Sequence, residues 1–161
     1  MRYNEKKILD ACCGSRMFWF DKKHPSTLYI DNRTMPPTKQ TNGATITVAP
    51  DEVMDFRKLN LPDDTFSLVV FDPPHILKRG GKRSYMKEKY GELDRANWKE
   101  DLTAGFAELF RVLKPDGVLI FKWNEIDIPV REVLALTPVR PLFGHRSGKA
   151  SKTHWIAFIK L

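Results

Sequence analysis

The chain has 161 residues, 42% of them hydrophobic, and it carries a formal net charge of +7. This length fits one compact domain, so we expect residues 1–161 to form a single domain. No apolar run approaches the roughly 20 residues that a membrane span needs, and none resembles a secretory signal. These features exclude membrane-embedded and secreted classes of protein and predict a cytoplasmic location with no membrane partner.

The cysteine and histidine pattern predicts neither a disulfide framework nor a metal site. Cys12 and Cys13 are adjacent in the chain, and neighbouring cysteines rarely form a disulfide because the geometry is strained. There is also no CxxC spacing of the kind that binds zinc. The histidines, which have no metal-ligand spacing, are His24, His75, His145 and His154.

Short apolar runs alternate with helix-like stretches in the first part of the chain, which is typical of a parallel α/β sheet. Lys7–Ala11 and Thr27–Asp31 are predicted strands, and each carries an aspartate at or near its end. Between them, Ser15–Lys22 is predicted to form a helical turn or a short helix. Asn32–Gly43 is rich in Pro, Thr and Asn, so we predict a loop there.

The middle of the chain predicts three more strands and a long helix. Ala44–Ala49 alternates β-branched residues, which predicts a third strand, and Phe66–Phe71 is a continuous apolar run suited to a strand buried on both faces. Trp98–Leu113 has an apolar stripe at helical spacing, which predicts a helix that ends at Lys114–Gly117. The next predicted strand is Val118–Trp123.

The end of the chain predicts a short helix at Pro129–Leu136 and two strands, Val139–Phe143 and Trp155–Ile159, that pair antiparallel at a sheet edge. The whole pattern indicates an α/β fold: a single Rossmann-like domain with about seven mostly parallel strands, roughly three helices and an antiparallel edge hairpin. In such folds ligands bind at the carboxyl ends of the strands, so the candidate site residues should follow the strands.

The turn after the first strand is predicted to bind a ligand. Gly14, within Asp10–Arg16, gives the backbone the freedom to approach a ligand closely. With a single glycine the turn lacks the GxGxxG fingerprint, which disfavours a nicotinamide dinucleotide because a pyrophosphate needs bare backbone amides. Asp31 is placed to accept hydrogen bonds from ribose hydroxyls, and Asp55 could accept one from an adenine amino group. Each of these aspartates alone is typical of a turn, but Asp10, Asp31 and Asp55 together follow successive strands and indicate a nucleoside site.

The order of these residues resembles the class I S-adenosylmethionine (SAM)-dependent methyltransferase family. The matching positions are Asp10, Gly14, Asp31, Asp55 and Asp72-Pro73-Pro74-His75. More narrowly, the chain resembles the amino-methyltransferases that carry a (D/N)PP(Y/F/W/H) signature. Phe110–Phe121 also resembles that family's helix, turn and fifth strand. The first loop departs from the family's usual GxG, because Cys12 and Arg16 stand at the outer glycine positions.

The resemblance implies S-adenosyl-L-methionine as the cofactor, with S-adenosyl-L-homocysteine as the product. The cofactor-binding positions that it implies are Asp10, Ala11, Cys12, Cys13, Gly14, Asp31, Asp55 and Phe56. The catalytic positions are Asp72, Pro73, Pro74 and His75. His75 stands at the family position of an aromatic ring that stacks on the target base.

The Asp72-Pro73-Pro74-His75 segment can activate an exocyclic amine. Such an amine is a poor nucleophile because its lone pair is delocalised into the ring, so its N–H groups must be held by acceptors. The Asp72 carboxylate and the Pro73 carbonyl are two such acceptors, and the prolines hold them rigidly. Asp-Pro and Pro-Pro are also frequent in strand-ending turns. The position of the segment directly after Phe66–Phe71 favours the catalytic interpretation.

The positive charge is concentrated in two segments. Residues 76–99 carry 8 basic and 3 acidic side chains, and residues 137–161 carry 5 basic and no acidic ones. A local basic excess suits a polyanion such as a nucleic acid, and a solvated surface is the alternative. The predicted substrate-binding residues in these segments are Lys78, Arg79, Lys82, Arg83, Tyr85, His145, Arg146 and Lys149.

These observations predict a methyltransferase that acts on the exocyclic amine of a nucleic-acid base, with N6 of adenine in DNA or RNA as the leading hypothesis. N4 of cytosine and N2 of guanine need the same acceptors and stay open. A small-molecule or protein amine is a second class of substrate, and a catalytically silent SAM-fold binding module is a third hypothesis. The length leaves no room for a separate target-recognition domain, so substrate choice would come from the loop at residues 76–99, from RNA shape, or from a protein partner or homodimer.

Overall fold

A computed structural model of the protein describes residues 3–79 and 91–161. Its strands are β1 (Ile8–Asp10), β2 (Thr27–Asp31), β3 (Met35–Lys39), β4 (Thr45–Val48), β5 (Glu52–Val53), β6 (Phe66–Phe71), β7 (Leu113–Asn124), β8 (Phe143–Arg146) and β9 (Thr153–Ile159). The helices in these ranges are α1 (Trp98–Val112) and α2 (Val130–Leu134). No helix in the described ranges is long and apolar enough to cross a membrane.

Seven of the strands form one sheet in the order β5-β2-β1-β6-β7-β9-β8. The first five strands in this order run parallel to one another. The last two are antiparallel: β9 pairs with β7, and β8 pairs with β9. This arrangement confirms the predicted mostly parallel, seven-stranded sheet with an antiparallel edge hairpin. It also brings the carboxyl ends of β1, β2 and β6 side by side.

The strands at the centre of the sheet form where apolar residues run without a break. Thr27–Asp31 and Phe66–Phe71 are strands with the predicted bounds, and all five residues of β2 are buried. Parallel strands covered on both faces need such continuous apolar sequence rather than alternation. The predicted helices Trp98–Leu113 and Pro129–Leu136 are confirmed as α1 and α2, with ends shifted by at most two residues.

The prediction for Asn32–Gly43 is wrong, because this segment contains β3. β3 pairs antiparallel with β4 in a separate two-stranded sheet, with an irregular register between Met35 and Thr38. Ala44–Ala49 therefore contains a strand, but this strand is not part of the main sheet, where the strand beside β2 at the edge is β5. Pro36 and Pro37 have no N–H to donate, so their segment suits an isolated ribbon better than a sheet interior.

Two further predictions differ from the structure. Ser15–Lys22 forms turns instead of a helix, because Gly14 (φ 48°) and Arg16 (φ 55°) lie in the left-handed region. The strand predicted at Val139–Phe143 begins only at Phe143. All four residues of β8 are exposed, so no burial pattern marked its true position in the sequence.

The core lies between α1 and one face of the sheet. Phe106 of α1 contacts three sheet residues, with ring centroids 5.4 Å from Phe71, 5.2 Å from Phe121 and 6.1 Å from Phe158. All four rings are at most 1% exposed. Interlocking aromatic rings of this kind fix α1 on the sheet, directly behind the end of β6.

Gly105 allows α1 to approach the sheet closely. A Cβ added there would lie 2.6 Å from the Phe56 ring and 3.3 Å from the Phe71 ring. Although alanine favours a helix more than glycine does, Gly105→Ala should lower the free energy of unfolding by ~1–3 kcal/mol because it overpacks this contact. Urea unfolding measures the change, with Thr103→Ala at an exposed position of the same helix as the control. A Gly105→Ala protein as stable as the control would contradict this packing.

Candidate active site

A cleft opens where β1, β2 and β6 end. Its cavity volume is about 170 Å³, and it is open to solvent. A ligand larger than this volume can therefore extend out of the cleft. The lining residues are Ala11, Cys12, Cys13, Gly14, Ser15, Met17, Phe18, Asp31, Asn32, Arg33, Phe56, Asp72, Pro74, Gly91 and Glu92.

The cleft brings together most of the predicted cofactor-binding and catalytic residues. From the cofactor set it contains Ala11, Cys12, Cys13, Gly14, Asp31 and Phe56. From the catalytic set it contains Asp72 and Pro74. The parallel register explains this convergence, because Asp10 of β1 lies opposite Tyr29 of β2 and Val70 of β6. Residues that follow these strands therefore meet at one edge.

Asp31 ties the end of β2 to the turn after β1. Its Oδ2 atom accepts a 2.9 Å hydrogen bond from the Gly14 backbone N–H. Its Oδ1 atom accepts hydrogen bonds from the backbone N–H and the Nε of Arg33, at 3.2 and 3.3 Å. A carboxylate offers about four lone-pair positions, so Asp31 retains capacity to accept from a ligand hydroxyl. This geometry fits the role predicted for it at a ribose.

Asp10 lies beneath the cleft and is fully buried. Its Oδ2 atom accepts a 2.7 Å hydrogen bond from Trp19 Nε1, and its Oδ1 atom accepts one from the Cys12 N–H at 3.4 Å. Burial raises the pKa of Asp10 to about 7, and the neighbouring carboxylates Asp72 and Asp31 act in the same direction. Three carboxyl groups converging in one place favour a ligand that carries positive charge.

Replacing Asp10 by asparagine should remove a pH-dependent loss of stability. The folded-state pKa lies above the ordinary value of 3.8, so the fold favours the protonated form. Its stabilising contribution is complete below about pH 4 and is lost as the pH rises through 7. Asparagine still accepts a hydrogen bond from Trp19 but cannot ionise. As the pH rises from 4 to 8.5, the free energy of unfolding of Asp10→Asn should therefore increase relative to that of the wild type by up to ~4 kcal/mol. Chemical unfolding of the ligand-free proteins across this range measures it, and parallel stability curves would contradict it.

The two thiols are poor nucleophiles in this setting. Burial, with Asp10 and Asp31 nearby, raises the pKa of Cys13 to about 12. Burial likewise raises the pKa of Cys12 well above its ordinary value. Both side chains therefore stay protonated at neutral pH, which argues against covalent thiol catalysis. They line the cleft as small, uncharged surfaces.

Asp72 makes an ion pair that sequence reasoning missed. Its Oδ2 atom lies 3.1 Å from Nζ of Lys122 in β7, and the two side chains are only 9% and 13% exposed. The sequence signal was a lysine inside the apolar run Val118–Trp123, flanked by two aromatic residues. The pair lies at the cleft, because Asp72 is one of its lining residues.

His75 is placed differently from the prediction. Its side chain is 4% exposed and lies edge-on to Trp123, with ring centroids 6.3 Å apart. Burial, together with the charge of Lys122, lowers the pKa of His75 to about 4, so the ring is neutral at physiological pH. The ring does not line the cleft in this structure, and Pro73 is buried beside it. The predicted stacking on a base needs an exposed ring face, which this conformation does not provide.

Asp55 is also not brought into the cleft. Its carboxylate pairs with Arg57 at 2.6 Å, and the hydrogen bonds from Arg57 lower the pKa of Asp55. Arg57 in turn binds Asp101 of α1 at 3.0 Å. The neighbouring residue, Phe56, lines the cleft instead. A ring at this position can pack on a planar base, whereas the predicted contact from Asp55 to an adenine amino group is not supported by this geometry.

None of the predicted substrate-binding residues within the described ranges lines the cleft. Lys78 is exposed, and Arg79 pairs with Asp127. His145, Arg146 and Lys149 line a shallow surface pocket with His154, and Arg146 binds Glu125 at 3.1 Å. The predicted residues Lys82, Arg83 and Tyr85 lie outside the described ranges. Within those ranges no group of His, Cys, Asp and Glu side chains could hold a metal ion.

No family model and no curated protein matches this sequence. Among solved structures, the PH0226 protein of Pyrococcus horikoshii OT3 is 16% identical, with a TM-score of 0.59 over 100% of this chain and 85% of that one. A SAM-dependent methyltransferase of Methanosarcina mazei is 13% identical, with a TM-score of 0.54 over 98% and 93% of the two chains. These likenesses show the Rossmann-like methyltransferase fold.

A third similar structure contains ligands. It is the 1,6-didemethyltoxoflavin-N1-methyltransferase of Burkholderia thailandensis, solved with 1,6-didemethyltoxoflavin and S-adenosylhomocysteine. It is 12% identical to this chain, with a TM-score of 0.55 over 95% of this chain and 70% of that one. At this identity the likeness extends to the fold alone.

Proposed function

We propose that this protein transfers a methyl group from SAM to the exocyclic amine of a nucleic-acid base, most readily N6 of adenine. The observation that carries the proposal is the position of Asp72 and Pro74 in the same cleft as Gly14 and Asp31. One cavity thus joins the Asp72 carboxylate, an acceptor for an amine, to the residues suited to a nucleoside cofactor. The Rossmann-like methyltransferase fold supports the methyl-transfer part of the proposal.

The residues of the cleft fit SAM by their chemistry. Asp31 would accept from the ribose hydroxyls, and Phe56 offers an apolar face for the adenine ring. The carboxylates around the cleft suit a ligand with a sulfonium and an ammonium group. When bound, the cofactor would supply a methyl group on a positively charged sulfur and leave as S-adenosylhomocysteine.

Asp72 and the Pro73 carbonyl would prepare the amine for attack. Accepting N–H hydrogen bonds from the amine concentrates its lone pair on nitrogen and stabilises the positive charge that develops as the new N–C bond forms and the S–C bond of the donor breaks. The methylated nitrogen then becomes neutral by releasing one N–H proton to the Asp72 carboxylate and on to solvent. Because Asp72 follows the buried strand β6 directly, its position is fixed before substrate arrives. The same acceptors would serve N4 of cytosine or N2 of guanine.

The nucleic-acid assignment is supported by charge. His145, Arg146 and Lys149 lie on the β8–β9 hairpin, where Arg146 also pairs with Glu125. They lie at the same end of the sheet as Lys122, since Lys122 is in register with Trp155 and Trp155 with His145. Such groups bind phosphates without reading sequence. A small-molecule amine is the second candidate, and it would not require this surface.

Tritiated methyl transfer from SAM to matched DNA and RNA pools tests the proposal. We expect label in one of the polynucleotides and, after digestion to nucleosides, an N6-methylated adenine nucleoside by mass analysis. Activity should fall steeply with added salt, because phosphate contacts release counterions. Label that appears only in a small amine, with no salt dependence and no polynucleotide binding, would overturn the nucleic-acid assignment.

A further inference from the structure

Lys122 is a charged residue in an otherwise apolar part of β7. Its neighbours Phe121 and Trp123 are buried on the face that α1 covers, so Lys122 points to the opposite face of the sheet. Its side chain is nonetheless only 13% exposed. An ammonium group withdrawn from water to this extent is costly unless charged or polar groups compensate it.

The surroundings of Lys122 hold its ammonium beside Asp72. Nζ lies 3.1 Å from Asp72 Oδ2, and it also lies 5.5 Å from the ring centroid of Phe18 and 5.6 Å from that of Trp155. The two rings meet edge to face, with centroids 5.5 Å apart. Aromatic rings attract a cation through their electron-rich faces. The two rings and the carboxylate therefore together hold the ammonium group in this position.

We propose that Lys122 is a positioning residue that keeps the Asp72 carboxylate ionised and oriented as the acceptor for the substrate N–H. This inference rests on the proposed function of the cleft. A cation within hydrogen-bond distance favours the charged form of a carboxylate, and nearby anions favour the neutral form. Lys122 thus offsets the acidic neighbours of Asp72. Methyl transfer should persist to a lower pH than it would without the lysine.

The other ionisable groups around this pair come from several elements. They include Asp10 (β1), Asp31 (β2), Cys12, His75 and Asp127, Arg33 and Glu92 of the cleft lining, and His145 on β8. The anionic members act against ionisation of Asp72. His75 is neutral at physiological pH, since burial and Lys122 lower its pKa to about 4. Lys122 is a cation in direct contact with Asp72, at 3.1 Å.

The pH dependence of methyl transfer distinguishes this role from a structural one. Lys122→Met should lower kcat at pH 7 by roughly tenfold or more and move the acid limb of the kcat profile upward by about one pH unit or more. Lys122→Arg should keep most of the kcat at pH 7 and an acid limb close to that of the wild type, because it retains a cation. Lys114→Met, at the other end of the same strand, is the matched control and should keep the wild-type profile. If Lys122 had a purely structural role, Lys122→Met would reduce the folded fraction and leave the midpoint of the kcat–pH profile unchanged.

A second measurement does not depend on activity. Carbon NMR of protein labelled at aspartate carboxyls, with Asp72 assigned through Asp72→Asn, should show its titration midpoint rise by about 1–3 pH units in Lys122→Met. An unchanged midpoint would overturn the inference whether or not the enzyme methylates nucleic acid. Conversely, a wild-type protein that transfers no methyl group would overturn the proposed function while the titration still decides the role of Lys122.

Discussion

Asp72→Ala should abolish methyl transfer, with a loss of at least ~10²–10³ in kcat. The substitution removes the carboxylate that would accept from the amine in the transition state, and preorganised groups of this kind are worth that much. Asp72→Asn keeps one acceptor oxygen in place and should lose less. Single-turnover transfer from labelled SAM measures both variants. Transfer by Asp72→Ala at the wild-type rate would contradict the assigned role.

The same substitution affects stability, and the two effects can be separated. Removing one member of a buried ion pair typically costs ~3–5 kcal/mol, because the other charge stays withdrawn from water. The double variant Asp72→Ala with Lys122→Met removes both charges and should recover much of the stability. It should remain inactive. A double variant that regains activity along with stability would mean that Asp72 only supports the fold.

Asp31→Ala should weaken binding of S-adenosylhomocysteine by ~10–100-fold. The change removes the acceptor proposed for the ribose hydroxyls and also the carboxylate that binds the Gly14 N–H at 2.9 Å. Hydrogen bonds to a charged group contribute about 1.5–3 kcal/mol each, and ~1.4 kcal/mol is a factor of ten in affinity. Isothermal titration calorimetry measures the dissociation constants directly.

Asp55→Ala is the matched control, because it removes the same charge from the end of a neighbouring segment. The Asp55 carboxylate pairs with Arg57 outside the cleft lining, and both side chains are partly exposed. Such pairs contribute less than about 1 kcal/mol to stability, so the variant should fold and bind normally. An Asp55→Ala protein that binds as weakly as Asp31→Ala would contradict the assignment of the ribose contact to Asp31.

The sequence predicted the parts of the site that depend on strand ends. Parallel pairing brings the carboxyl ends of neighbouring strands to one edge, so Gly14, Asp31 and Asp72 could be grouped before any coordinates were known. The apolar runs Thr27–Asp31 and Phe66–Phe71 located these ends correctly. What a strand end does not encode is the direction of the following side chains. For that reason His75 and Asp55 were assigned to a cleft that they do not line.

The remaining differences also have physical causes. β3 contains two prolines, and prolines in a sequence predict a loop. The segment is a strand because it pairs with β4, and this partner cannot be recognised from the sequence of β3 alone. The alternation of side chains along a strand places Lys122 on the face opposite Phe121 and Trp123, and this could be read from the sequence. Its partner Asp72, however, is 50 residues away in the chain. Its pairing follows from the register between β6 and β7, where Phe71 lies opposite Phe121. A single sequence does not specify that register.

The most direct test of the account is a crystal structure of the protein with S-adenosylhomocysteine. We expect the ribose hydroxyls within hydrogen-bond distance of Asp31, the adenine against Phe56 and the sulfur at the side of the cleft that Asp72 lines. The donor methyl would then face the acceptor groups for the amine. A structure with the ligand bound outside this cleft, or with its sulfur remote from Asp72, would contradict the central claim.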